Sequence, residues 1–417
     1  MTFSSRIPGF HKLSQDEKLS KLKDLVDLTE EEINTLNVTE PPVTIENIIG
    51  VMTLPIGLAT NFVINGKERL ITFAIEEASV VAAASNLARM TREHGGFETS
   101  NTGALMIGQI QILDLQMPYY SAQQIHSNKD KILKLANEQD PILIKFGGGA
   151  QDLETRIIST ATGDMLIVHL VVNCLDAMGA NAVNTMVEAV APLIAELTGG
   201  RVKLRIISNL ADKRIVRARA VFDKEMLGGD EVVEAMVDAW AFAEADPYRA
   251  ATHNKGIMNA ISAITVATAN DWRAIEAGAH AYASRYGYYT SLTRYEVTDE
   301  GHLAGTIELP LAVGIIGGAT KVHPTAQTNL KIMQVISAME LAEIIACAGL
   351  AQNAAALRAL SDEGIQKGHM RLHARNLAGS LDGVTMEEID IITQQMIEEG
   401  QVRSDKAEEI LKQIRSK

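Results

Sequence analysis

Leu13, Leu19, Leu22 and Leu25, spaced by three or more with polar residues between, predict two short amphipathic helices over 13–37, read as a solvent-facing cap rather than an arm or ligand contact. NFVI and ERLITFAI alternate on either side of Asn65-Gly66, a hairpin signal that delivers the chain to Glu76 and Glu77. Small residues with Leu87 and Met90 then predict a buried helix from Ala78 to Thr91, halted by Gly95-Gly96.

The period then shifts repeatedly. MIGQIQILDLQM (106–117) alternates as a strand, ILKLANEQ (132–139) is helical, and RIISTATGDMLIVHLVV (156–172) reads as two strands around Thr162-Gly163. A helix from Gly179 to Leu197 and the strand KLRIISNL (203–210) complete a small α+β module. It interrupts a larger body that resumes near Asn209. The expected fold class is therefore α+β, with a large, discontinuous, mixed domain over 1–103 and 209–364, an inserted small domain over 104–208 and a helical carboxy-terminal flap over 365–417. In that tail Thr385 and Glu388 form a capping box before Ile389, Ile392 and Met396, and Gly400 ends the helix. Ser404 is placed as cap of a last helix with Ala407, Ile410, Leu411 and Ile414 on one face, and LAGSLDG (377–383) as a hinge.

A length of 417 residues suits two or three domains, and 47% hydrophobic residues supply their cores. The net charge of -14 argues against a nucleic-acid surface, which needs clustered Lys and Arg. Cys174 and Cys347, both in apolar surroundings, make no disulfide framework and fit a reducing cytoplasm. The first residues show no apolar signal-peptide core. The longest uncharged run, Asn47 to Gly66, is broken by Pro55 and diluted by Asn and Thr, so no membrane association is expected.

The chemistry concentrates in RAATHNKGIMNA (249–260) and ATANDWRAIEAGAHAYASR (267–285). These set Arg249, His253, Asn254, Lys255, Asn259, Asn270, Asp271, Arg273, Glu276 and His280 in an apolar, small-residue background that predicts burial. An unpaired buried Lys or Asp costs several kcal/mol, so these groups are expected to form a site. With ENIIG (46–50), EEASVVAAAS (76–85), DAMGANAVNTM (176–186), GGATKVHP (317–324), GLAQNAAALRAL (349–360) and GIQKGHMRLHARN (364–376), the stretch resembles the class II 3-hydroxy-3-methylglutaryl-CoA reductases. The matches are collinear from SRIPGF near the amino terminus to the last helices.

The resemblance implies a nicotinamide-dependent oxidoreductase that interconverts HMG-CoA with (R)-mevalonate and CoA by two hydride transfers, with sites at the interface of a homodimer or larger homo-oligomer. It assigns Lys255 to stabilise the carbonyl oxyanion, Glu77 to donate a proton with Asp271 as its partner, and His369 to protonate the CoA thiolate. Glu76 rivals Glu77 by residue type; the EEAS match selects the second. Ser79, Arg249 and Asn259 are carried over to the 3-hydroxy-3-methylglutaryl group, with Gln352 and Asn254 in the same pocket and Asn47 as either a further contact or a structural residue.

No G-x-G-x-x-G follows a strand, so a Rossmann site is unsupported. The resemblance instead makes the inserted domain a ferredoxin-like dinucleotide-binding one. It assigns cofactor contact to Asp176, Ala177, Met178, Gly179, Ala180 and Asn181, at a helix start suited to a pyrophosphate. Asp140, at the end of the ILKLANEQ helix, matches the acidic position of NADH-preferring members, since a carboxylate repels a 2′-phosphate. Two departures stand out: Ala78 replaces a common Pro, and His11 replaces an Arg. His369 and His373, four apart, also have metal-ligand spacing, which leaves a metal-dependent acyl-CoA hydrolase as the alternative, although HMRLH lacks the zinc-protease Glu.

Overall fold

The computed structural model describes residues 7–26, 28–36, 45–361 and 374–415. It divides into two units, Met1–Pro55 and Ile56–Lys417. In the first, the two expected helices run over Gln15–Val26 and Glu30–Leu36. Each opens on a reciprocal cap: Ser14 N–H donates to Glu17 Oε2 (2.7 Å) and Glu17 N–H to Ser14 Oγ (3.3 Å), and Thr29 and Glu32 repeat the arrangement. These bonds, the backbone ones first, hold the Glu17 and Glu32 carboxyls below the usual carboxylate range.

Among the described residues of the second unit ten strands form two sheets. The strands are β1 (Ile56–Ile64), β2 (Lys67–Ala74), β3 (Phe97–Asn101), β4 (Leu105–Leu113), β5 (Gly149–Thr160), β6 (Gly163–Asn173), β7 (Arg201–Ile207), β8 (Ile215–Phe222), β9 (Thr293–Val297) and β10 (Leu303–Pro310). The six-stranded sheet has the order β2-β1-β3-β8-β10-β9. Its β1–β2 hairpin turns at Asn65 (φ 50°) and Gly66 (φ 75°), the paired left-handed conformations of a type I′ turn. Phe97 of β3 stacks on Phe62 (5.5 Å between centroids) and meets Phe222 edge-on (6.4 Å), joining three strands in one core.

The helix Ala338–Ser361 packs against β8 and β10 and against the helices Val80–Thr91, Asp230–Ala245 and Pro247–Ala267. Its 24 residues are long and apolar enough to cross a membrane by length and composition, and 67% of its most apolar window is buried inside the fold. Small residues make that burial possible. A Cβ at Gly349 would stand 2.9 Å from Ile261 Cδ1, so the Pro247 helix approaches closely there.

The four-stranded sheet, ordered β5-β6-β4-β7, is antiparallel throughout and takes all its strands from between Leu105 and Ile207. The helix Ala180–Thr198 lies on β4 through fully buried Val183, Met186, Val187 and Val190. Gly108 of β4 leaves room for it, since a Cβ there would meet Val187 Cγ1 at 2.4 Å. Two features depart from the sequence expectation. β5 begins at Gly149 rather than 156, because a bulge between Ala150 and Asp152 breaks the alternation that would have revealed it. A helix over Pro118–Ser127 was not foreseen, since exposed Tyr119 and Tyr120 blur its apolar stripe.

Near the carboxy terminus, Ala374, Ala378, Ile392, Met396, Ala407 and Ile410 form a separate small core. Thr385 and Glu388 make the predicted capping box, and Gly400 (φ 65°) follows the helix Met386–Glu398. Ser404 lies inside the last helix, Ser404–Arg415, rather than capping it: Ala407 N–H already bonds Arg403 O. LAGSLDG is helical to residue 379 and turns at Gly383 (φ 67°).

Candidate active site

Glu77 and Lys255 meet. Lys255 Nζ lies 2.9 Å from Glu77 Oε2, with the two side chains 60% and 36% exposed. Lys255 belongs to the helix Pro247–Ala267, which Asp246 caps by accepting from Arg249 N–H (3.2 Å) and Pro247 starts. Glu77 sits in the turn between β2 and the helix Val80–Thr91. That turn holds Ser79 at φ 75°, with no capping bond from its side chain. A non-Gly residue in the left-handed region costs about 1–3 kcal/mol and marks a place where geometry outranks stability.

The expectation that the whole 249–260 stretch is interior is corrected. Ile257, Met258, Ile261 and Ile264 face the core, while Lys255 is exposed and Asn259, one turn on, is half-buried. Helical period, not the apolar composition of the stretch, decides which residues face inward. Arg249 is half-buried, has no acidic partner among the described residues, and is shifted down by burial. Gln352 is buried, and its Oε1 accepts no hydrogen bond among the described residues.

Other members of the stretch form a structural network. His253 Nε2 bonds Thr293 Oγ1 (2.7 Å) and Ser291 Oγ (2.9 Å), and burial, aided by Arg249, pushes the imidazole down to about 3. Asn254, expected in the ligand pocket, is fully buried. Its amide donates to Tyr289 OH (3.0 Å) and Thr290 O (2.9 Å) and accepts from Leu292 N–H (3.1 Å). Both amide N–H donors are thereby used, and one of the two lone pairs of its oxygen is taken. Glu276 and His280 pair at 3.0 Å beside it.

A cleft of about 860 Å³ gathers most of the expected cofactor residues: Asp140, Ala177, Met178, Gly179, Ala180 and Asn181, with Asn270, Asp271, Trp272 and Arg273 and much of 314–320. Gly179 (φ 107°) is the N-cap of the helix Ala180–Thr198, and a Cβ there would stand 2.3 Å from Cys174 Sγ. The helix opens with no side-chain cap, so its first N–H groups remain for an anion. Asp176 is not in the lining. Its carboxylate accepts from Ala338 N–H (2.8 Å) and its carbonyl from Ile315 N–H (2.9 Å).

Asp140 opens a helix instead of ending one: the preceding helix stops at Asn137, and Asp140 Oδ1 accepts from Leu143 N–H (2.9 Å) at the start of Pro141–Lys145. Asp271 likewise caps Trp272–Ala283, accepting from Arg273 and Ala274 N–H (both 3.1 Å), and is bonded to neither Glu77 nor Lys255. Of residues 314–320, only those from 317 on belong to a matched motif, GGATKVHP, and that motif carries no assigned role in the sequence. Gly317 (φ 79°) and Gly318 (φ 53°), both left-handed, were the available signal.

His369 and His373 lie outside the described residues. The metal-like cluster among the described residues is His94, Asp223 and His302, away from the cleft lining. Its groups satisfy one another: Asp223 Oδ2 faces His94 (3.3 Å) and His302 (3.7 Å), and His302 Nδ1 accepts from Lys224 N–H (3.2 Å). Cys174 is raised to about 12 by burial and Cys347 is raised too, so both thiols stay protonated.

The family model for hydroxymethylglutaryl-coenzyme A reductase matches residues 14–374. The chain is 57% identical to the 3-hydroxy-3-methylglutaryl-coenzyme A reductase of Archaeoglobus fulgidus, covering 99% of this chain and 95% of that one. It is 36% identical to the probable enzyme of Borreliella burgdorferi, covering 90% and 87%. A class II reductase structure from Streptococcus pneumoniae, bound to NADPH in open conformations, superposes with a TM-score of 0.76 at 39% identity over 97% of this chain and 100% of that one. Nothing in these matches supports a metal-dependent hydrolase. Collinear motifs, fold and relatives agree: the chain belongs to the hydroxymethylglutaryl-coenzyme A reductase family.

Proposed function

We propose that this protein interconverts HMG-CoA and (R)-mevalonate plus CoA, and that the Glu77–Lys255 pair is its reacting centre. The observation that carries this is their 2.9 Å contact across 178 residues, a cation and a carboxyl group in reach of one carbonyl. Lys255 stabilises charge on the thioester oxygen, and Glu77, hydrogen-bonded to it, supplies the proton as that oxygen becomes an alcohol. Asp271 tunes the pair from the cleft wall. His369 protonates the departing CoA thiolate. Arg249, a cation without an acidic partner among the described residues, takes the free carboxylate of the acyl group. Ser79 and Asn259 hold its polar atoms, and Gln352 Oε1 offers a buried acceptor for its hydroxyl.

The cleft suits a nicotinamide dinucleotide: Gly179 provides the close approach a Cβ would block, and the uncapped helix start faces the pyrophosphate. Bound there, the reduced cofactor supplies one hydride for each of the two reductions. Residues 177–181 hold its phosphates, and Asp176 fixes their backbone. Asp140 retains an unused oxygen for the ribose hydroxyls and disfavours a 2′-phosphate, giving a preference for NADH over NADPH.

Residues 104–208 act as the cofactor domain, 1–103 with 209–364 as the substrate domain and 365–417 as a flap. The protein works in the cytoplasm as a homodimer or larger assembly. Acyl-CoA-dependent loss of reduced-nicotinamide absorbance, followed with NADH and with NADPH, tests the activity. Hydrolysis of the thioester with no absorbance change would overturn it.

A further inference from the structure

Arg214 is 0% exposed and pairs with no carboxylate among the described residues. Its guanidinium donates instead to three backbone carbonyls: Ala177 (3.1 Å), Met178 (3.4 Å) and Val313 (2.5 Å). Nε, also buried, has no acceptor. A guanidinium taken out of water with no carboxylate bonded to it is a costly feature, and the charge of Asp176, acting at longer range, offsets part of that cost. Burial pushes it down to about 10, and it stays charged at neutral pH.

The three carbonyls belong to two segments pressed backbone to backbone. Ile315 N–H donates to Asp176 O (2.9 Å), and a Cβ at Gly314 would stand 2.5 Å from Met178 N. Ala177, Met178, Gly314 and Ile316 line the same cleft. In a trans peptide the N–H points opposite to the C=O. Turning the carbonyls of Ala177 and Met178 toward Arg214 therefore sets the directions of the N–H groups of Met178 and Gly179, where the cleft meets its helix.

We propose that Arg214 is a positioning residue for the dinucleotide, clamping the turn at 176–178 against the segment 313–316 so that the cleft is preformed before cofactor binds. This rests on the reading of the cleft as the cofactor site. A lysine cannot substitute fully, because a point charge does not span carbonyls on two segments as a planar fork does.

The test is NADH affinity by fluorescence titration, with steady-state KM values for NADH and HMG-CoA, in wild type, Arg214→Met, Arg214→Lys and Gly314→Ala. Arg214→Met is expected to raise the NADH dissociation constant and KM at least about tenfold, as misplaced binding groups do, with the KM for HMG-CoA little changed. Arg214→Lys falls between. Gly314→Ala keeps the guanidinium but forces the seam apart, so it reproduces the selective loss and carries the test if Arg214→Met does not fold. Equal rises in both KM values, or wild-type NADH affinity in a folded Arg214→Met or Gly314→Ala, would overturn the role. Wild-type protein that binds no NADH would overturn the cofactor reading and this role with it, whereas unchanged binding in the variants removes Arg214 alone.

Discussion

Glu77 and Lys255 are joined by a 2.9 Å hydrogen bond although one lies in a turn after β2 and the other in mid-helix, 178 residues later. Both side chains reach solvent, so the pair contributes little to stability and its geometry is free to serve chemistry.

Lys255→Ala is therefore expected to lower kcat by about 10²–10³, the usual loss when an oxyanion-stabilising group is removed. Its thermal midpoint should stay near wild type, because exposed substitutions shift stability by only about 0.5 kcal/mol. Circular dichroism melts run beside turnover assays check both, and near-normal turnover in a folded variant would reject the assignment.

Asp271 has two separable duties. Asp271→Ala removes the cap on Trp272–Ala283 and should cost about 1 kcal/mol as well as activity. Asp271→Asn still caps, because its amide oxygen accepts the same N–H bonds, but carries no charge. Urea melts should show the asparagine variant as stable as wild type, and its kcat should remain depressed. A fully active Asp271→Asn would leave the carboxylate a purely structural part.

Asp140→Asn likewise keeps the bond to Leu143 N–H while removing the charge. The ratio of kcat/KM for NADPH to that for NADH should rise about tenfold, equivalent to ~1.4 kcal/mol. An unchanged ratio would show that Asp140 only caps its helix.

His253 gives the stability a pH dependence of known sign. Burial holds it at about 3 in the folded protein, whereas the unfolded imidazole titrates near 6.5. Below pH ~6.5 the unfolded chain binds a proton that the folded chain refuses, so stability falls as pH drops from there toward 3, by a few kcal/mol in order of magnitude. Urea unfolding at several pH values should show a shallower slope in His253→Gln than in wild type. Parallel slopes would exclude His253 as the source.

Local chemistry was legible in the sequence. The Asn65-Gly66 hairpin, the Thr385–Glu388 box and the alternation of helix and strand over 105–207 depend on neighbours along the chain, and the structure has them. The Ser14 and Thr29 caps were equally visible as S-x-x-E and T-x-x-E and went unread. What depends on distant contacts was not legible. No spacing rule links Glu77 to Lys255; the family motifs bring both to one site but give Asp271, not Lys255, as the partner of Glu77. Arg214 stands among Lys213, Arg217 and Arg219, a pattern that reads as solvated charge, and is buried because three carbonyls from 177–178 and 313 converge on it. Nor does any spacing show that Asn254 bonds Tyr289, Thr290 and Leu292, which come from a later loop.

The helix Ala338–Ser361, apolar enough to span a bilayer, is a hazard while the chain is being made. Released alone, it would attract membrane-insertion machinery or other unfolded chains. Among the described residues, the elements it packs against most extensively, from β3 and the Val80 helix to β10, precede it in the sequence. Synthesis from the amino terminus thus completes the receptacle before its occupant leaves the ribosome, and the order of elements along the gene acts as a chaperone for the most dangerous segment of the product.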